Sequence, residues 1–89
     1  MLGNEFKVIQ SSEISAVVEF GNTIDENINK KIRIFCKWLD ENLFYGLVEY
    51  IPYFTSVSII YDPMKLKSKE PFKYMEFKIK EIISNLDFS

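Results

Sequence analysis

Apolar and polar residues alternate along this chain with two different periods. Phe6–Gln10 and Ala16–Phe20 are short runs of period two, which places Ala16, Val18 and Phe20 on one side and Val17 and Glu19 on the other. That period marks a strand. Ser11-Ser12-Glu13 reads as the turn between the runs, and Gly21-Asn22 stops the second. From Glu26 to Glu41 the period becomes helical. Ile28, Ile32, Phe35, Leu39 and Leu43 form the core stripe, while Lys30, Lys31, Arg33, Lys37, Asp40 and Glu41 lie mostly off it. Asp25 is placed to cap the helix through its carboxylate, and Thr23 with Glu26 offers a rival capping box.

Gly46 marks the exit from the helix. Leu47–Ile51 and Val57–Tyr61 are strands again, separated by Pro52-Tyr53-Phe54-Thr55. Pro52 has no N–H for a ladder, so it belongs at a strand end or bulge. Asp62-Pro63 stops the later strand, and Met64–Lys69 is a basic connection. Pro71 suits the first turn of a second helix, where its missing N–H costs nothing. Phe72, Met75, Ile79, Ile82, Ile83 and Leu86 form that helix's stripe. The order β-β-α-β-β-α predicts an α+β, two-layer sandwich, a small antiparallel sheet with both helices on one face. The arrangement looks ferredoxin-like, with the first strand of the opening hairpin in the place of a C-terminal one.

At 89 residues, 1–89 is expected to be a single domain. A 47% apolar and 16% aromatic composition supports one core and excludes intrinsic disorder. A net charge of −2 gives no broad pull toward nucleic acid or an anionic membrane. The sole cysteine, Cys36, excludes an internal disulfide framework and suits a reducing compartment. The N-terminus is too polar for a secretory signal, and no apolar run is long enough to span a bilayer. A cytoplasmic location is the expectation.

The residues offer little chemistry. There is no histidine, so the commonest general base and metal ligand is missing. Cys36 has no basic partner and reads as a small half-buried apolar residue. Gly3, Gly21 and Gly46 do not cluster into a phosphate loop, and no serine sits in a Gly-x-Ser-x-Gly elbow. No catalytic, cofactor-binding or metal-binding residue is assigned. Glu19 and Glu49 lie on strands among apolar neighbours, but a two-carboxylate site needs an enclosing pocket to separate two pKa values. Solvated strand carboxylates are the simpler reading. The fold class suggests two further functions, and both fit poorly. Val57–Tyr61 lacks an RNA-recognition signature. Gly21-Asn22-Thr23 lacks the arginine of an acylphosphatase-like phosphate turn.

What remains is apolar surface. Alternation puts Val17, Glu19, Glu49, Ile51, Ser58 and Ile60, with Ile9, on the sheet face away from the helices. That is too much Ile and Val for a plain solvated face, and such patches mark binding sites. A covering loop or N-terminal segment is the alternative. Trp38, with Ile34, lies on the flank of the first helix stripe, and Phe77 lies nearly opposite the second, with Tyr74 nearby. Aromatics are favoured interface anchors, so at least one of Trp38 and Phe77 is expected to contact another chain or a further domain.

The stretch Ser11–Pro63 resembles the N-terminal domain of the KipI family. The resemblance rests on Glu19-Phe20-Gly21, Ile24-Asp25, Ile28-Asn29, Ile51-Pro52-Tyr53, Ser56 and Tyr61-Asp62-Pro63 at family-like spacing. The chain departs at Ser11–Ser15, where the family often has a Leu-Gly-Asp-Ser-like turn. It also lacks the cyclophilin-like C-terminal domain into which members usually continue, as an excised domain or shortened relative would. The family holds the kinase A inhibitor and the B subunit of 5-oxoprolinase, and is related to one subunit, the first, of allophanate hydrolase. The resemblance implies pairing with a KipA-like subunit in ATP-dependent opening of an amide ring, a hydrolase activity not expected from these residues alone. Three roles follow from it. The first is a non-catalytic assembly domain, docking to a KipA-like subunit or self-associating. The second is a regulatory module that inhibits a histidine kinase. The third is a half-site in which Glu19 or Glu49 completes a pocket only within a complex.

Overall fold

The computed structural model describes residues 6–88; the polar N-terminal residues 1–5, with Gly3, and residue 89 lie outside the described residues. The elements are β1 (Lys7–Ser12), β2 (Ser15–Glu19), α1 (Glu26–Glu41), β3 (Leu47–Pro52), β4 (Ser56–Tyr61), α2 (Pro63–Leu66) and α3 (Pro71–Ser84). The strands form one antiparallel four-stranded sheet in the order β1-β2-β4-β3. The chain leaves β2 through α1 and returns as β3 on the far side of β4, a split βαβ path. The edges are therefore β1 and β3.

Period-two burial on the two central strands builds the core. Ala16 and Val18 of β2, Phe20 just beyond it, and Val57, Ile59 and Tyr61 of β4 are buried. Ile28, Ile32, Phe35 and Leu39 of α1 and Met75, Ile79, Ile82 and Ile83 of α3 meet them in a single cluster. Both long helices thus cover the same sheet face. Phe72, Leu86 and Phe88 are half-buried against the cluster, and Phe20 meets Phe35 edge-on at 5.8 Å between ring centroids.

Local signals decide the element ends. Asp25, not Thr23, caps α1: its Oδ1 accepts from the Ile28 N–H at 2.8 Å. Pro52 ends β3, and Pro71 begins α3 behind Glu70. Gly46 turns the chain at φ 97°, a conformation that favours glycine. The hairpin strand β1 runs on to Ser12, into the expected turn, and the Ser15 hydroxyl bonds to those of Ser11 and Ser12 across its closing end.

Two expectations need correction. Leu43 does not extend the α1 stripe. The helix ends at Glu41, Asn42 leaves helical geometry, and Leu43 is 76% exposed. The basic connection after β4 contains the short helix α2. The Asp62 carboxylate accepts from the Met64 N–H, Pro63 opens the turn, and Leu66 is buried against the core. Asp-Pro stops a strand, but it is equally a helix start.

Candidate interaction face

Strand register gathers the strand residues singled out from the sequence onto one surface. Val17 and Glu19 alternate with buried Ala16 and Val18, so they face away from the helices. In β2–β4 pairing, Val17 is opposite Ser58, Glu19 opposite Ser56, and Ser15 opposite Ile60. In β3–β4 pairing, Ile51 is opposite Ser58 and Glu49 opposite Ile60. In β1–β2 pairing, Ile9 is opposite Val17 and Lys7 opposite Glu19. A row Ile9-Val17-Ser58-Ile51 therefore crosses the whole sheet, with Ile60 in the next row beside Glu49. Ile9 is 45% exposed and Ile51 37%; Val17, Ser58 and Ile60 are half-buried by their neighbours.

The face continues into the β3–β4 connection. Tyr53 is 56% exposed and Phe54 75%. The turn that carries them is fixed by backbone bonds from the Tyr53 N–H to the Ser56 carbonyl (2.8 Å) and from the Phe20 N–H to the Thr55 carbonyl (2.9 Å). Sequence reasoning treats these aromatics as turn residues and misses them. The available signal is an aromatic pair in a short turn with no apolar stripe to join.

Trp38 and Phe77 do not join this face. Trp38 is half-buried against the core on α1, and Phe77, on α3, is 70% exposed. Both belong to the helical layer, on the other side of the sheet. Ile34 is half-buried and Tyr74 46% exposed in that same layer.

The two strand glutamates are not a dyad. Their β4 partners, Ser56 and Ile60, put them roughly 13 Å apart along the strand direction, with β4 between their own strands. Carboxylate pairs that share a hydrolytic site stand roughly 5–10 Å apart. A groove of about 440 Å³ beside Glu19 is lined by Phe6, Lys7, Phe20, Gly21 and Asn22, with Lys7 as the only other charged group among the described residues. Among the described residues, no group of three or more His, Cys, Asp or Glu is placed to hold a metal ion.

The remaining titratable features point away from reactivity. Burial, with the nearby Asp40 carboxylate as a lesser cause, pushes the Cys36 thiol up to about 11, so it stays protonated and weakly nucleophilic near neutral pH. The Tyr50 hydroxyl donates to Asp40 Oδ1 at 2.6 Å. That bond first, and burial second, push the Tyr50 phenol up to about 12.

The site is thus a four-stranded sheet, covered by helices on one face and bearing a cross-strand apolar row on the other. Among the described residues, no helix is long and apolar enough to cross a membrane. The family model for "Carboxyltransferase domain, subdomain C and D" matches residues 6–86, and the chain belongs to this family, which includes KipI and the B subunit of 5-oxoprolinase. A curated relative, the B subunit of 5-oxoprolinase from Bacillus subtilis (strain 168), is 30% identical over 57 residues. That match spans 64% of this chain and 24% of the relative. A solved structure of a conserved uncharacterized protein from Pyrococcus horikoshii matches at 26% identity and a TM-score of 0.69, over 85% of this chain and 36% of that one. The N-terminal domain of the histidine kinase inhibitor KipI from Bacillus subtilis matches at TM-score 0.73 and 23% identity, over 90% of this chain and 85% of that domain, a likeness of fold.

Proposed function

We propose that this chain is a non-catalytic assembly domain of a protein like the B subunit of 5-oxoprolinase, and that it pairs through its open sheet face with a KipA-like subunit acting in ATP-dependent amide-ring hydrolysis. The observation that supports the reading is the apolar row Ile9-Val17-Ser58-Ile51, flanked by Ile60 and continued by Tyr53 and Phe54. A solvated sheet face alternates apolar-in with polar-out, whereas this one carries Ile and Val outward.

Its size favours a larger partner over self-association. Four strands about 4.8 Å apart, each five or six residues long, cover roughly 350 Å² in plan. A stable interface takes about 800 Å² from each side. A subunit that also grips the Tyr53–Phe54 turn and an edge strand makes up the difference.

The test is a charge placed in the row. Ile51→Glu and Ile60→Glu abolish co-purification with the KipA-like subunit while circular dichroism stays native. Undiminished binding by both variants rejects the face. Glu49→Gln separates assembly from chemistry: it leaves turnover of the reconstituted complex unchanged, whereas slower turnover with intact assembly makes the domain a catalytic half-site instead.

A further inference from the structure

A second surface lies in the helical layer, where the connection after α1, the short helix α2 and the middle of α3 converge. The Asp62 N–H donates to the Gly46 carbonyl at 2.8 Å, and Leu66 packs so tightly on Gly46 that a Cβ there would lie 2.5 Å from its Cδ2. That contact seats α2 on the connection. It leaves three apolar side chains outside: Met64 is 83% exposed, Leu43 76% and Tyr45 70%.

The adjoining segment is rich in positive charge. Residues 64–80 hold six lysines against two glutamates, in a chain whose net charge is −2. Both glutamates are engaged, Glu70 with Lys73 at 3.4 Å and Glu76 with Lys80 at 3.3 Å. Lys65, Lys67, Lys69 and Lys78 make no ion pair among the described residues. Two of them stand over aromatic rings: Lys65 Nζ lies 5.9 Å from the Tyr45 centroid and Lys78 Nζ 5.4 Å from that of Phe44. Cation–π contact holds these ammonium groups beside the apolar surface.

We propose that Leu43, Tyr45 and Met64, with the lysines of α2 and its flanks, dock an acidic segment of a partner protein that itself carries apolar side chains. Charge complementarity selects the acidic character, because Lys65, Lys67, Lys69 and Lys78 have no ion-pair partner among the described residues. The exposed aliphatic groups favour a protein over a nucleic acid, because the phosphates that the lysines would meet give Leu43 and Met64 no apolar partner. A membrane fits less well. Glu41 and Asp62 border the same surface, and a uniformly anionic bilayer repels them, whereas a peptide can place its carboxylates over the lysines alone.

This surface is independent of the open sheet face, so the two readings fail separately. The probe is a fluorescein-labelled synthetic peptide in which glutamates alternate with leucine and phenylalanine, followed by anisotropy. The expected result is saturable binding that weakens as salt is raised. Binding drops by about tenfold in Lys65→Glu/Lys67→Glu, which replaces two attractive contacts by repulsive ones. It drops also in Leu43→Ser/Met64→Ser, whose exposed positions leave the fold intact by circular dichroism, and it is unchanged in Ile51→Glu. No binding, or equal binding by all variants, overturns the proposal. So does preference for phosphatidylserine–phosphatidylcholine vesicles or a DNA oligonucleotide over the peptide.

Discussion

Replacing Tyr61 by Phe is expected to stabilise this domain. Tyr61 closes β4 and is 1% exposed, and its hydroxyl oxygen has no hydrogen-bond partner among the described residues. Burial raises the pKa of the phenol. In the unfolded chain water satisfies that hydroxyl, and folding strips the water away without replacing it. A buried hydroxyl left in this state costs about 1–3 kcal/mol. Phe keeps the ring and its contacts and removes one oxygen; the small void left behind costs only about 0.3 kcal/mol at the usual penalty per unit cavity volume. The net gain is about 1–2 kcal/mol, which for a domain of this size raises Tm by at least about 4 °C. Urea unfolding followed by circular dichroism reads the change as a higher midpoint at constant slope. Tyr50→Phe supplies the contrast. Its hydroxyl donates to Asp40 at 2.6 Å, so its loss lowers stability by about 1 kcal/mol. A Tyr61→Phe variant less stable than the parent would refute the reasoning, because it would mean that the hydroxyl makes a bond worth keeping.

Gly46→Ala is expected to destabilise by about 1–3 kcal/mol, since the residue sits at φ 97° and its new Cβ would meet Leu66; a thermal melt with a raised or unchanged Tm contradicts this. Stability is expected to fall as pH rises from about 9 toward 11. In that window the unfolded thiol and phenol release protons that folded Cys36 holds to about 11 and folded Tyr50 to about 12. The unfolded state then binds fewer protons, so the slope of stability with pH is negative. Urea midpoints across this range check it, with Cys36→Ala showing a shallower fall.

Most of the architecture is legible in the sequence because period and punctuation agree. Alternation around Val18 and Val57 and the helical stripes of α1 and α3 each leave a single way to bury the apolar side. The same alternation puts Val17, Ile51 and Ile60 together on the open face without any knowledge of register, and the Val17–Ser58–Ile51 pairing is what unites them. Leu43 misleads because its helical spacing from Leu39 continues beyond the last helical residue, and spacing alone does not say where a helix stops. The short helix α2 escapes detection because four residues are too few to display a helical period. Helical spacing already sets Trp38 and Phe77 apart from the strand residues, and the fold keeps them in the helical layer. The Leu43–Tyr45–Met64 surface depends on three segments meeting, which no local pattern records.

The central claim is that a partner subunit covers the open face. Light scattering coupled to size exclusion tests it most directly, on this chain alone and then mixed with a KipA-like subunit, for the parent and for Ile51→Glu/Ile60→Glu. The expected result is a parent chain that runs alone as a monomer or weak self-associate and with the subunit as a species of summed mass, and a folded variant that stays monomeric in both. A parent chain that stays monomeric in the mixture, or a variant that still joins the complex, would contradict it.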